Sequence, residues 1–243
     1  MIISHKYKYI YLKSSKTAGT SIEIALAKHC GEEDIVTPLD RYSKAFDYVT
    51  HNYHARNYRK KGYYHHITPD KIKRIIGPDI WNSYFKFTIV RNPWDLQVSS
   101  LWWRLKAKPK EDFSYYVNKI RHNMTEWHNY VAYYKLILKK IARKDYIYLG
   151  GKHIPILDNT RYYFDRLGKP ICDYYIRYES LEEGYREVCR KVGIPYEKLP
   201  LTKNKIRPHS KHYSQYYDEE TKRIIAEYFK KEIECFGYSF ETV

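Results

Sequence analysis

The stretch Lys13-Ser14-Ser15-Lys16-Thr17-Ala18-Gly19-Thr20-Ser21 follows a strand-like run, Tyr7 to Leu12, and opens directly into an apolar, helix-like run, Ile22 to Ala27. A small-residue turn between a strand and a helix points several backbone N–H groups at one spot, and the helix dipole adds positive potential there. Such a turn is built to bind a phosphate-like anion. Lys16 places a mobile ammonium beside that anion, Thr17, Thr20 and Ser21 supply hydroxyl donors, and Gly19 allows close backbone approach. Lys13, Ser15 and Ala18 complete the candidate binding set. Thr20 with Glu23 fits a capping box, which marks the helix start independently of any ligand. The form Gly-x-x-x-x-Gly-Lys-[Ser/Thr] is absent, because the lysine precedes the only glycine of the turn. Taken alone, the stretch fits a purely structural helix cap as well.

A second segment narrows the choice. Phe85 to Val90 is rich in β-branched and aromatic residues and predicts a buried strand; Asn92 as cap and Pro93 at the first helical position start a helix. Arg91 therefore stands at a strand's C-terminal end. Ser99 falls about two turns into the helix, near the face of Asp95. The guanidinium fork matches a phosphate, and a hydroxyl completes its surroundings, so Arg91 and Ser99 are candidates for a second anionic group.

Together the two segments resemble the paired signatures of sulfotransferases that use 3′-phosphoadenosine 5′-phosphosulfate, PAPS, as sulfuryl donor. In that superfamily a Lys-Thr-[Ala/Gly]-Gly-Thr-Ser-like loop holds the 5′-phosphosulfate, and an Arg-Asn-Pro-x-Asp-x-x-x-Ser segment holds the 3′-phosphate. Ser15 to Ser21 resembles most the family-2 branch, which includes the carbohydrate sulfotransferases. Tyr175-Ile176-Arg177-Tyr178-Glu179-Ser180-Leu181 and the run from His212-Tyr213 to Phe240 agree with that branch. The resemblance spans almost the whole chain and is weakest between about residues 105 and 170. It implies an α/β fold, a parallel β-sheet flanked by helices with a P-loop-like turn, over a single sulfotransferase domain, residues 1–243. It also implies Lys16 as the charge on the leaving group and a histidine upstream of the Arg-Asn-Pro motif as the base. His66, just before Thr68-Pro69, is the first candidate for that base and His65 its substitute. The basic segment Lys203 to Lys211 resembles the family's late loop over the donor's 3′ end, with Arg207 and Lys211 as further phosphate ligands; a solvated basic loop fits those residues equally well.

Composition bounds the rest. The 243 residues suit one α/β domain with one core, and the 29 tyrosines indicate that aromatic rings dominate its packing. The formal charge of +16 predicts attraction to anions: a doubly phosphorylated donor, an acidic glycan or nucleic acid. The lysines are spread along the whole chain, so a compositional bias accounts for the surplus as readily. No apolar run approaches the roughly 20 residues of a membrane-spanning helix, and the first residues lack a signal-peptide core. The expectation is a cytoplasmic chain without stable membrane insertion, or one in a host cell interior if viral. Cys30, Cys172, Cys189 and Cys235 are widely spaced, which argues for buried thiols and against a zinc or redox pair. His51, His54, His65 and His66 lack accompanying carboxylates or cysteines at metal-ligand spacing, so no metal is expected.

Elsewhere, strand and helix alternate, which predicts a parallel sheet covered on both faces, with binding at the strands' carboxyl ends. Pro38 to Tyr64 reads as a loop and a wall of the acceptor site. Thr68-Pro69 starts a short helix ended by Gly77-Pro78. Periodicity in residues 111 to 142 predicts a helical insertion. Tyr146 to Leu149 with Ile154 to Leu157 predicts a hairpin. Cys172 to Tyr178 predicts a strand, followed by a helix that Ser180 and Glu183 cap and Gly193 and Pro195 stop. A last helix from about Asp218 turns Ile224, Ile225, Tyr228, Phe229 and Ile233 inward.

The function this reading supports is transfer of a sulfuryl group from PAPS to an acceptor hydroxyl, with a glycan acceptor implied by the resemblance alone. A nucleotide or small-molecule kinase would share the phosphate turn but needs Mg²⁺ ligands, for which no acidic strand end offers a clear site. A nucleic-acid-binding protein would explain the basic, tyrosine-rich composition but not Arg91 and Ser99 at their spacing.

Overall fold

The computed structural model describes residues 1–39, 55–59, 62–106, 147–149, 152–154, 157–200, 212–217 and 219–241. In chain order the elements are β1 (Ile2–Ser4), β2 (Tyr9–Leu12), α1 (Gly19–Ala27), β3 (Ile35–Val36), α2 (Pro69–Ile76), α3 (Pro78–Ser83), β4 (Phe85–Val90) and α4 (Pro93–Lys106). Then come β5 (Ile147–Leu149), β6 (Lys152–Ile154), α5 (Thr160–Tyr163), β7 (Tyr174–Arg177), α6 (Leu181–Val192), α7 (Glu219–Tyr228) and α8 (Lys230–Phe236), with 3₁₀ turns at Tyr178–Ser180 and Tyr213–Tyr216. They fall into two compact units: Met1–Arg91 with Asn159–Thr202, and Asn92–Asp158 with Lys203–Val243.

The first unit holds a five-stranded sheet in the order β3-β1-β2-β4-β7. β2, β4 and β7 are parallel, with Tyr11 opposite Phe87 and Phe87 opposite Tyr174. β1 is antiparallel to both β2 and β3, so the sheet is mixed, a correction to the parallel sheet expected from sequence. The physical reason is the short connection between β1 and β2: Ser4 opposes Tyr9, and a hairpin return can only make an antiparallel pair, whereas the parallel pairs each need a long crossover. Tyr9, Tyr11, Phe87, Ile89 and Ile176 share one sheet face and pack with Ile22 and Leu26 of α1 and Tyr185 and Val188 of α6. Ile10 and Leu12, on the opposite face, are equally buried. The aromatic core anticipated from composition is present here: Tyr11 stacks on Phe87 with ring centroids 5.2 Å apart. α6 ends at Gly193, which takes the left-handed conformation (φ 72°) that stops a helix cleanly. Ser180 precedes α6 as expected but makes no capping bond with its side chain.

In the second unit Asn92 does cap α4, its side chain accepting from the N–H of Trp94 at 3.1 Å. Trp94, Val98 and Trp102 of α4 pack with Tyr213, Ile225 and Phe229. The terminal helix is divided into α7 and α8 at Phe229, whose backbone (φ −102°, ψ 21°) leaves the helical range while its ring stays buried. Tyr228, expected inward, is 43% exposed as a consequence. β5 and β6 form the anticipated hairpin, with the second strand at 152–154.

All four cysteines are free thiols; Cys189 is buried, whereas Cys235 is exposed, contrary to expectation. The insertion at residues 111 to 142 and most of the Pro38 to Tyr64 loop lie outside the described residues. Among the described residues no helix is long and apolar enough to cross a membrane.

Candidate active site

Strand β2 ends at Leu12, and the chain turns through residues 13 to 18 before α1 begins at Gly19. Two non-glycine residues of the turn are left-handed, Lys16 and Ala18, each with φ 61°. Such residues are strained by about 1–2 kcal/mol each and persist only where the surroundings hold them. The amides of Ala18, Gly19 and Thr20 follow in the turn, and none of the three has a hydrogen-bond partner among the described residues. Three adjacent orphan donors at a helix start are the components of an anion site. Helix α1 is capped by Ala18, whose side chain makes no capping bond, so the Thr20–Glu23 capping box is not formed. Gly19 has a negative φ, and its role differs from the one expected. A Cβ there would lie 2.8 Å from the Tyr11 hydroxyl and 3.0 Å from Lys13 Cγ, so glycine lets α1 start directly against β2.

Glu23, the residue assigned to the capping box, is fully buried and takes Lys13 as its partner. The Met1 nitrogen contacts the same carboxylate. Burial alone would raise the Glu23 carboxyl; the Lys13 ammonium overrides it and holds the group down to about 2. Lys13 thus lies beneath the turn, 4% exposed, and its charge is engaged by Glu23 rather than presented to a ligand. Thr17 is likewise turned inward. Its hydroxyl meets the Ser14 hydroxyl at 2.8 Å, and Ser14 Oγ donates to the Ile89 carbonyl of β4 at 2.7 Å.

The two histidines meet this turn directly. His66 Nδ1 lies 2.9 Å from the Lys13 carbonyl, and His65 Nδ1 lies 3.5 Å from Lys13 Nζ. Their rings stand edge to face with centroids 4.0 Å apart. His66 is itself left-handed (φ 58°), and Tyr162 holds it by donating to its carbonyl at 2.6 Å. Burial, and then the Lys13 ammonium, push the His66 imidazole down to about 4 and the His65 imidazole further down, to about 2. Both rings are neutral at pH 7, the state a proton acceptor requires.

Arg91 reaches the turn from the end of β4. Its guanidinium donates to the Lys16 carbonyl at 2.7 Å and lies over the Tyr178 ring at 3.8 Å. A guanidinium carries five donors in a planar fork, so stacking orients it without using them. From the other direction the fully buried Asn159 grips Ser15 twice, accepting from its N–H and donating to its carbonyl, both at 2.9 Å.

Of the residues singled out in the sequence, Lys13, Ser15, Lys16, Thr17, Ala18, Gly19, Thr20, Ser21, His65, His66 and Arg91 come together in the first unit. Ser99 lies half-buried on α4 in the second unit, and Arg207 and Lys211 lie outside the described residues. Asn159, Tyr162 and the burial of Glu23 were missed. No local signal marks Asn159, whereas Tyr178 sat within the Tyr175 to Leu181 stretch without a role. Thr160, Arg161, Phe164, Asp165 and Arg166, from the stretch containing Tyr162, line a cleft of about 300 Å³ with Thr68, Pro69 and Asp70, which follow His66 in the chain. Among the described residues no group of three or more histidine, cysteine or acidic side chains is placed to hold a metal ion.

A parallel strand leading into a turn of unpartnered amides, with an arginine and neutral imidazoles against the same turn, is chemistry that suits an anionic ligand. The model of the Sulfotransferase family matches residues 1–239, and the chain belongs to that family. Its reaction is therefore sulfuryl transfer, between a nucleotide sulfate donor and an acceptor. No curated protein and no solved structure matches the chain.

Proposed function

We propose that this enzyme takes its sulfuryl group from PAPS and delivers it to a hydroxyl of a carbohydrate acceptor, with residues 1–243 working as one sulfotransferase domain. The observation that carries the reading is the hydrogen-bonded cluster in which Arg91 holds the Lys16 carbonyl and His66 meets the Lys13 carbonyl, at 2.7 and 2.9 Å, in the turn that leads into the orphan amides. In this reading the amides of Ala18, Gly19 and Thr20 and the Lys16 ammonium receive the 5′-phosphosulfate. Arg91 takes the 3′-phosphate, with Ser99, Arg207 and Lys211 as further ligands. The acceptor oxygen forms the new S–O bond as the bond from sulfur to the 5′-phosphate oxygen breaks. Lys16 stabilises the charge left on that oxygen, and His66 takes the acceptor proton. Adenosine 3′,5′-bisphosphate leaves. The cleft that starts at Thr68, two residues after His66, supports the acceptor reading: its lining offers hydroxyls, two carboxylates, two guanidinium groups and the Phe164 ring, a mixture suited to a polyhydroxylated ring.

The test is a thermal-shift comparison of adenosine 3′,5′-bisphosphate, ATP with Mg²⁺, and an oligonucleotide, followed by transfer of radiolabelled sulfate to a glycan array. Stabilisation by the bisphosphate alone is expected. Lys16→Ala and His66→Ala are expected to lower kcat at least about 100-fold, and Arg91→Ala to raise the donor KM chiefly. Wild-type transfer by all three variants would overturn the site assignment.

A further inference from the structure

The cluster around Lys13 contains two imidazoles at similar distance from one lysine, yet the two atoms that face them have opposite hydrogen-bonding character. A backbone carbonyl has no hydrogen to give, so the 2.9 Å contact between the Lys13 carbonyl and His66 Nδ1 requires the proton to reside on Nδ1. Were Nδ1 bare, two lone pairs would face each other at that separation. The Ser15 hydroxyl, 3.5 Å from the same nitrogen, is too distant to reverse this preference. In neutral His66 the lone pair is therefore on Nε2, which has no hydrogen-bond partner among the described residues. His65 meets the opposite end of the same residue. An ammonium has no lone pair to offer, so a hydrogen on His65 Nδ1 would face the Lys13 cation at 3.5 Å. The Nδ1 lone pair turns to the cation instead, and the proton resides on Nε2.

We propose that Lys13 sorts the two histidines, its carbonyl holding His66 with Nε2 bare and able to accept a proton, and its ammonium holding His65 in the reverse tautomer with no basic nitrogen to offer. The consequence for catalysis rests on the sulfuryl-transfer reading above; the tautomers themselves do not. Lys13 is thus a positioning residue, and Glu23 positions Lys13 in turn by fixing its ammonium under the turn. Among the described residues, the charged and titratable groups around the pair are the Lys13 ammonium just past β2, Glu23 from α1, the Met1 nitrogen just before β1, and each imidazole for the other. Tyr162 from α5 donates to the His66 carbonyl and leaves the ring nitrogens untouched. Burial and Lys13 lower both imidazoles, so both rings are neutral at pH 7, and the tautomers differ only through what each Nδ1 meets.

The test is two-bond ¹⁵N–¹H correlation spectroscopy of the full ¹⁵N-labelled chain at pH 7, with His65→Gln and His66→Gln identifying the two rings. The expected result is one ring protonated on Nδ1 that disappears in His66→Gln, and one protonated on Nε2 that disappears in His65→Gln. In Lys13→Met the backbone carbonyl remains, so His66 keeps its tautomer while His65 becomes a mixture; Lys13→Arg restores His65. Lys13→Met leaves Glu23 without its lysine, so Lys13→Met/Glu23→Gln provides the same comparison if the single variant fails to fold. Sulfate transfer supplies the second readout: kcat falls at least about 100-fold in His66→Gln and less than about 10-fold in His65→Gln. A His66 ring protonated on Nε2, or a His66 tautomer that changes in Lys13→Met, overturns the proposal. A wild-type chain that shows the expected tautomers but transfers no sulfate from PAPS refutes the functional reading and leaves the sorting intact.

Discussion

Replacing Asn159 tests whether the turn between β2 and α1 is held in shape from outside. Its side-chain amide makes two 2.9 Å bonds to the peptide groups of Ser15, 144 residues earlier, and is fully buried. Each such bond contributes about 1 kcal/mol net, and leaving the Ser15 N–H and carbonyl part-buried without partners raises the cost further, so Asn159→Ala should lose about 2–3 kcal/mol. For a chain of this size that lowers Tm by about 4–12 °C. Asn159→Leu, similar in volume, should lose as much, which separates the hydrogen bonds from packing. Asn159→Asp keeps an acceptor for the Ser15 N–H but sets a second carboxylate oxygen against the Ser15 carbonyl, so it should not rescue. The assay is urea denaturation of the four proteins, paired with calorimetric titration by adenosine 3′,5′-bisphosphate, whose affinity should fall in all three variants as the turn loosens. A stability loss below about 0.5 kcal/mol in Asn159→Ala, with unchanged affinity, would refute the claim that Asn159 shapes the turn.

Gly184 in α6 faces Ile176 so closely that a Cβ would lie 2.6 Å from Ile176 Cγ2, and overpacking of that kind costs about 1–3 kcal/mol. Gly184→Ala should therefore fail to show the gain of about 1 kcal/mol that alanine brings at an open helical glycine, and Gly184→Val should be worse; a stabilised Gly184→Ala in urea melts would contradict the close approach. His65 and His66 are held below the ordinary imidazole range, to about 2 and about 4, so the unfolded chain takes up protons first as pH falls below 6.5. Folding stability should be full above pH 6.5 and decline as pH falls toward 4, and denaturation midpoints of His66→Gln should show a shallower decline; a stability that rises on acidification would refute it. Arg161 lines the cleft formed with Thr68, Pro69 and Asp70, and among the described residues its guanidinium contacts only the Tyr162 ring and hydroxyl. Arg161→Ala should raise the acceptor KM several-fold and leave the donor KM in place, and the reverse pattern would place the acceptor elsewhere.

What the sequence made legible is what short-range chemistry encodes. Phe85 to Val90 matches β4 to the residue, because a run rich in aromatic and β-branched residues bounded by Arg91-Asn92-Pro93 suits a strand that stops there. The starts of α2 and α4 and the end of α6 followed from proline and glycine, whose backbone limits are local. β1 and β3 were not legible, since Ile2–Ser4 and Ile35–Val36 are too short for alternation to register and their order depends on partners elsewhere. The site divides in the same way. The strand-turn-helix order at residues 13 to 21 and the place of Arg91 at a strand end were legible from residue type and spacing, whereas Asn159 contributes through contacts that no local pattern records. Glu23 shows how a local pattern misleads: its place three residues after Thr20 suited a capping box, but burial against Lys13 outweighs that bond.

The same contrast accounts for the strain in the site. Lys16, Ala18 and His66 are all left-handed without being glycine, a cost of about 3–6 kcal/mol for the three together. Against it stand bonds to two distant segments, the end of β4 and the start of α5: Arg91 on the Lys16 carbonyl, Ser14 on the Ile89 carbonyl, Asn159 on Ser15, and Tyr162 on the His66 carbonyl. At about 1 kcal/mol net apiece these offset most of the strain, so the turn keeps its shape because tertiary contacts impose it, against local preference. Glycine at the same positions would reach that conformation without strain but would also reach many others. With lysine and alanine there, the left-handed turn exists only in the folded chain, and the unpartnered amides of Ala18, Gly19 and Thr20 are set in place before any ligand arrives. Binding then needs little reordering of the protein, which is how a short turn with few direct contacts supports useful affinity for a charged nucleotide.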